Sequence, residues 1–378
     1  MLNKEILIVT DNNLETVGGE QESTKIILSE LNELYRFSVY QPGLNKPNIS
    51  NVNYYGKSSY DRIKKMIKNP FSFIKYYIEL LKTIRKINPS IIHTQAQVSF
   101  MMVNLLKKIR LINKEIKTIH TERGLYKKYN KFFQSLLMFF MNELTVLVTT
   151  THYNLNDWKK ALDEKNDHIN YQVIPNTAGK LFETYDESKE RVIDDKFIIG
   201  FSGRYTDWKN WPLALEIIEE LNNQIGEKLE VRIAVGALDE TSEKETLKMF
   251  ADLEESIGNR FKGKLNINLD EMNLFYYELD LFILTSKPNT ESFGRTLVEA
   301  MSRKTAVLTT NAGGSEEVVG NEKNICYTFE ELINRITQLE SDSTELYREK
   351  MDNMKIVKNH YSLNSNIISH NKLYRNII

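Results

Sequence analysis

Short apolar runs alternating with segments of helical period, stopping once and then starting again, constrain this chain more than any other feature of its sequence. In the first half the runs fall at 4–10, 36–40, 90–93, 116–120, 145–150 and 171–174, with helix-period segments at 22–34, 72–87, 96–111, 127–142 and 152–163 between them. Such alternation predicts a parallel sheet covered by helices on both faces. Residues 176–195 are polar and acidic and have no period, which marks a connection. The alternation restarts with runs at 196–201, 230–235, 280–285 and 305–310 and helical segments at 211–224, 242–257, 271–277 and 294–303. Asn210 reads as a helix cap and Pro212 as part of a first turn. The expected fold is α/β, with two doubly wound domains at 1–178 and 179–355 facing a cleft. Residues 356–378 form a helical segment that is a candidate to cross back to the first domain. Sheets of this kind bind ligands beyond the carboxyl ends of their strands. Chemistry is therefore sought in the loops that follow strands.

A length of 378 residues agrees with two domains, because single cores stop growing near roughly 250–300 residues. The one cysteine, Cys326, allows no intrachain disulfide and fits a reducing cytosol. The first run, 4–10, is too short and too early-charged for a signal peptide. No apolar stretch approaches the ~20 residues a spanning helix needs. Any membrane contact would be made from the surface, at the inner face.

The net charge of −1 hides a split. Residues 1–180 carry 26 Lys/Arg against 16 Asp/Glu, and residues 181–378 carry 24 against 35. The basic half suits an anionic membrane or acceptor; drift in surface composition is the plain alternative. Within it, 57–86 hold nine Lys/Arg against Asp61 and Glu79. At 127–142, Lys127, Lys128 and Lys131 lead into Phe132, Phe133, Phe139 and Phe140. That segment reads either as an interfacial helix or as one buried between sheet and neighbours.

The strongest chemical signal follows the run at 280–285. Glu291 falls in a loop and Glu299 in the helix after it, and Gly294 between them lets a ligand approach the backbone. Orphan amides at the start of that helix suit an anion. One carboxylate would hold sugar hydroxyls, the amides a diphosphate, and the other carboxylate a ribose. Arg204 and Lys209, between a strand and a helix, suit the same diphosphate. Gly18 and Gly19 lie between the first strand and first helix, where a side chain would block a pyrophosphate. No Cys/His cluster exists, so no metal site is expected.

The string Glu291-Ser292-Phe293-Gly294-Arg295-Thr296-Leu297-Val298-Glu299-Ala300-Met301 resembles the E-x7-E motif of retaining glycosyltransferases of the GT-B fold, family 4 (glycosyltransferase group 1). The resemblance extends along most of the chain. Gly18 and Gly19, the strand ending in His93, the segment around His120, Val173-Ile174-Pro175-Asn176, Gly203-Arg204 with Lys209, and Gly313-Gly314 before Glu317 all stand in the family's order. Departures are Ser302-Arg303-Lys304-Thr305, where the family has small residues and a glycine, Thr177-Ala178-Gly179 at the hinge, and the acidic Glu20-Gln21-Glu22.

The resemblance implies a hexosyltransferase without metal or other cofactor, using a nucleotide diphosphate sugar, expected to be a UDP-sugar. The acceptor would be a glycan or lipid-linked molecule in surface polysaccharide synthesis. Glu291, His120, Arg204 and Lys209 would be catalytic, with His120 near the anomeric carbon. Gly18, Gly19, Arg204, Lys209, Glu291, Phe293, Gly294, Arg295, Thr296, Leu297 and Glu299 would bind the donor. His93 reads as structural. Nucleic acid is not an expected partner. The rival readings are a nucleotide-sugar epimerase of similar build and a non-catalytic module binding membranes or polyanions. The E-x7-E string favours transfer over the first, and the second leaves it unexplained.

Overall fold

Ile6, Leu7, Ile8 and Val9 are all fully buried, as a strand covered on both faces requires. In the computed structural model Ile6 and Ile8 join one apolar cluster and Leu7 and Val9 another. The first strand, β1 (Glu5–Val9), thus has a core on each face. The structure describes residues 4–162, 166–192 and 194–377, so position 163 of one expected helix lies outside the described residues. The chain divides into two units, one of residues 1–176 with 364–378 and the other of residues 177–363.

In the first unit β1 is followed by α1 (Gly19–Leu31), β2 (Arg36–Tyr40), β3 (Val52–Tyr55), α2 (Ile63–Met66), α3 (Pro70–Ile87), β4 (Ile91–Thr94), α4 (Gln97–Lys108), β5 (Lys117–Glu122), α5 (Lys131–Met141), β6 (Val146–Thr149), α6 (His152–Lys159) and β7 (Asn170–Val173). The seven strands are parallel in the order β3-β2-β1-β4-β5-β6-β7. The order reverses direction between β1 and β4. There the Asp11 carboxylate, just past β1, accepts from the amides of Val98 (3.0 Å) and Ser99 (2.7 Å) at the start of α4.

The second unit runs β8 (Phe197–Arg204), α7 (Trp211–Ile225), β9 (Leu229–Gly236), α8 (Glu240–Ile257), β10 (Phe261–Leu265), α9 (Leu269–Tyr277), β11 (Leu281–Leu284), α10 (Arg295–Met301), β12 (Ala306–Thr310), α11 (Gly314–Val319), β13 (Ile325–Cys326), α12 (Phe329–Ser341) and α13 (Ser343–Ile356). Its parallel sheet has the order β10-β9-β8-β11-β12-β13, with the reversal between β8 and β11. A last helix, α14 (Leu363–Ile377), belongs to the first unit from residue 364. It buries Leu373 and Tyr374 with Ile6, Ile8 and Phe37, and His93 Nδ1 lies 2.8 Å from the Tyr374 hydroxyl.

Several elements differ from the expected ones. The short strands β3, β10 and β13 are not marked by apolar runs. They lie at or beside sheet edges, where polar residues such as Lys262 and Lys264 are tolerated. Helix α5 starts at Lys131, not 127, because the Asn130 side chain accepts from the Phe133 amide and caps it there. Residues 177–178 and 356–363 fall in the second unit. The turn at 302–305 also finds its explanation. Arg303, 2% exposed, donates to the carbonyls of Leu181 (2.7 Å) and Phe182 (3.2 Å) and stacks over the Phe182 ring. Lys304, at φ +56°, reaches Glu190 at 2.9 Å. Where a glycine was expected, two cations fasten the connection 181–190 to the sheet behind it.

Candidate functional site

The reversal point of the second sheet places the loops after β8 and β11 side by side. Thr285 donates to the Lys209 carbonyl (3.0 Å), and the Lys287 amide donates to that of Trp208 (2.8 Å). From the first loop Lys209 Nζ reaches Glu291 Oε1 at 2.8 Å, and Ser286 Oγ donates to the same oxygen at 2.7 Å. The Lys209 stem lies over Gly203, where a Cβ would stand 3.1 Å from Lys209 Cδ and Cε. The glycine of the Gly203-Arg204 pair leaves the space along which the lysine stem runs to the glutamate.

The backbone of Glu291 is fixed from both sides. Its amide donates to Ala312 (2.8 Å), and its carbonyl accepts from Gly314 (2.8 Å). The late Gly313-Gly314 element thus supports the glutamate loop directly. Gly294 has φ +90°, and a Cβ there would come within 3.0 Å of Leu297, 3.3 Å of Leu284 and 3.4 Å of Ser315. The fold itself demands glycine at that position.

Glu299 is 6% exposed and accepts a hydrogen bond from the Tyr276 hydroxyl at 2.9 Å. Arg295 Nε lies 2.9 Å from its other oxygen, an ion-pair contact whose geometry falls short of a hydrogen bond. Arg295 also donates to the Ala178 carbonyl at 2.8 Å, while its Nη1 and the Thr296 hydroxyl are buried without a partner. Burial and the adjoining Glu299 charge hold the Tyr276 phenol well above its ordinary pKa, so it serves as a neutral donor.

Two residues expected to bind the donor present no side chain to it. Phe293 is 3% exposed and packs edge-on to Tyr361, and Leu297 is fully buried with its amide bonded to Gly294. Their side chains belong to the core. Arg204 ends β8 with an exposed side chain. Ser286 and Tyr276, which the sequence did not single out, complete the partners of the two glutamates.

The remaining residues lie in the first unit. Gly19 opens α1 and is not a loop residue; a Cβ there would meet nothing within 4 Å. Gly18 is buried in extended backbone. Internal packing does not require glycine at position 19. His120 is fully buried, with Phe100 stacked on its ring, Thr94 Oγ1 3.0 Å from Nδ1 and Glu122 Oε2 3.2 Å from Nε2. Both ring nitrogens have partners, and Nε2 faces the Glu122 carboxylate. The strand runs on to Glu122, and Arg123 takes the strand-end position.

Among the described residues no group of three or more His, Cys, Asp or Glu is placed to hold a metal ion, and no helix is long and apolar enough to cross a membrane.

Residues 183–356 match the family described as glycosyl transferases group 1. Sucrose-phosphate synthase from Thermosynechococcus elongatus superposes with a TM-score of 0.82 at 15% identity, over 99% of each chain. Anabaena HepE, solved with UDP and glucose, gives 0.75 at 14% identity over 99% of this chain and 100% of that one. A glycosyltransferase from Rickettsia africae gives 0.73 at 19% identity over 99% and 98%. At these identities the structural likenesses establish the fold, GT-B with two Rossmann-like units. No curated protein matches the sequence.

Proposed function

We propose that this chain moves a hexose from a nucleoside diphosphate sugar, a UDP-sugar, to a glycan or lipid-linked acceptor with retention of configuration; the match of residues 183–356 to the group 1 glycosyl transferases supports this reading. The observation that carries this reading is the meeting of Lys209 and Ser286 on Glu291 at the reversal point of the second sheet. Glu291, held by an ammonium and a hydroxyl, orients sugar hydroxyls. Lys209 and Arg204 offset the charge that grows on the diphosphate as the bond from its oxygen to the anomeric carbon breaks. The acceptor oxygen forms the new bond on the same face and its proton passes to the departing phosphate oxygen. Glu299, presented by α10, takes the ribose. No metal enters these steps in this reading, because Lys209 and Arg204 supply the positive charge.

The test is a thermal-shift panel of nucleotide sugars followed by donor hydrolysis with and without EDTA. A donor that binds only the folded chain raises its melting temperature. Slow hydrolysis insensitive to EDTA supports the reading. Stabilisation by none of them removes it, and activity restored by magnesium or manganese overturns the metal-free step.

A second observation concerns the acceptor. Phe71, Ile74 and Ile78 form an exposed stripe at i, i+3 and i+7 on α3, flanked by Lys68, Lys75 and Lys82. On α5, Phe132 and Phe139 are exposed, but Phe140 is buried and Phe133 packs partly against the core. An anionic membrane at the cytosolic face fits apolar residues ringed by lysines, and would present a lipid-linked acceptor for surface polysaccharide.

A further inference from the structure

Three polar atoms in the first unit are buried with no partner: Glu20 Oε1, Gln95 Nε2 and Arg123 Nε. They belong to residues that follow β1, β4 and β5, near the reversal point of that sheet. Arg123 follows β5 and donates through Nη1 to the Gln95 carbonyl and through Nη2 to Gln95 Oε1, each at 3.0 Å. A guanidinium only donates, so the Gln95 oxygen must face it and the Gln95 nitrogen must point elsewhere. Glu20, in the first turn of α1, accepts from Asn12 at 2.8 Å with its other oxygen. The charges of Glu20 and Arg123 act on each other, yet among the described residues the two make no ion pair. The loop carrying Arg123 is rigid. Gly124 donates to Glu122 at 2.6 Å and accepts from the Trp158 indole at 2.9 Å, and a Cβ on it would overlap the Tyr129 hydroxyl.

The set therefore offers two donors and one acceptor. An anion would suit Arg123 and Gln95 but be repelled by Glu20, and a cation would suit Glu20 but be repelled by Arg123. A hydroxyl group carries one donor and two lone pairs and satisfies all three. We propose that Glu20, Gln95 and Arg123 form a sugar-hydroxyl subsite that sets which hexose the first unit accepts. This rests on the reading of the chain as a sugar transferase. Sites that pair buried polar groups with a hydroxyl reject analogues lacking it far more strongly than apolar pockets do.

The hydroxyl has two sources, the hexose of the donor or that of an acceptor. The test uses the full chain, wild type beside Glu20→Leu, Glu20→Gln and Arg123→Met, each checked for a cooperative thermal transition. One arm measures affinity for UDP and for UDP-glucose, UDP-galactose and UDP-N-acetylglucosamine by calorimetry. The other measures saturation-transfer NMR signals from methyl α-glucopyranoside and methyl α-galactopyranoside. The variants are expected to lose at least fivefold in affinity for one hexose-bearing ligand while UDP stays within twofold. A loss confined to the UDP-hexoses assigns the donor, and a loss in the methyl hexosides assigns the acceptor. Folded variants unchanged in both arms overturn the subsite and leave the three atoms to ordered water. Wild type that fails to bind UDP while the methyl hexoside arm responds removes the proposed function and keeps the subsite.

Discussion

Lys209 Nζ lies 2.8 Å from Glu291 Oε1, although the two residues stand 82 positions apart in the chain. Both side chains are about 15% exposed, so the pair is shielded but reachable. Its position makes the glutamate and the lysine one unit. Lys209→Ala and Glu291→Gln should each lower turnover about a hundredfold while changing UDP affinity less than threefold, since contacts made mainly in the transition state act on kcat. The double variant should cost little more than either single one. A rise in KM at normal turnover would make both residues ground-state anchors.

Glu299 sits between Tyr276 and Arg295. Glu299→Ala should weaken UDP binding roughly tenfold or more, the loss of a charged hydrogen-bond pair. Tyr276→Phe should weaken it less, because it removes only the group that orients the carboxylate. Calorimetry that finds the folded Glu299 variant unchanged takes it out of the site.

Arg303 should matter for stability and not for turnover. Replacing it with Met leaves the carbonyls of Leu181 and Phe182 without their donor, and removing one member of a buried polar set costs about 2–4 kcal/mol. Urea denaturation should show a loss of that size, with kcat preserved well below the midpoint. A loss under 1 kcal/mol would mean the connection 181–190 is held by other contacts.

Burial, reinforced by Asp11 and opposed by Arg123, pushes the Glu20 carboxyl up to about 7. A folded-state pKa above the unfolded one means the native chain holds this proton more tightly. The associated stability is complete below about 4.5, declines as pH rises, and is lost above about 7. Glu20→Gln should therefore gain on wild type between pH 5.5 and 8, by a few degrees in Tm at about 1.4 kcal/mol per pKa unit. Parallel Tm profiles of the two proteins across that range would show that Glu20 does not titrate there.

Vesicles containing phosphatidylglycerol should sediment the protein at low salt, and neutral vesicles should not, because exposed lysines each contribute about 1 kcal/mol at an anionic surface. Replacing Phe71, Ile74 and Ile78 with Ser should reduce binding more than replacing Lys127, Lys128 and Lys131 with Glu, since α3 carries the longer apolar stripe. Equal partitioning to both vesicle types, or none, returns the charge split to surface composition.

What the sequence made legible follows from local physics. Two alternations mean two sheets, and reversal points lie at predictable loops, so Lys209 and Glu291 could each be singled out in advance, though not their contact. Ser286, Tyr276 and Arg303 could not, because their partners come from other elements and no periodicity marks them. The end of the strand carrying His120 differs for a definable reason. The strand was expected to end at 120 but runs to Glu122, which draws the histidine into the sheet and moves Arg123 to the loop. The apolar stripe of α3 was hidden because Phe71, Ile74 and Ile78 share a helix with Tyr76, Leu80 and Ile84, which are core.

The return of α14 to the first unit makes the second unit an insertion within it, entered after Asn176 and left after Leu363. During synthesis the Phe37 and His93 faces of the first sheet must wait, uncovered, while 187 residues of another domain are made and folded, because Tyr374 reaches them only near the end. Unfolding is bound by the same nesting. The first unit cannot be released as one continuous fragment by a single proteolytic cut, and a cut near residue 363 strips it of its closing helix while leaving the second unit whole. Loss of α14 should thus appear first as aggregation through the first sheet and only afterwards as loss of donor binding.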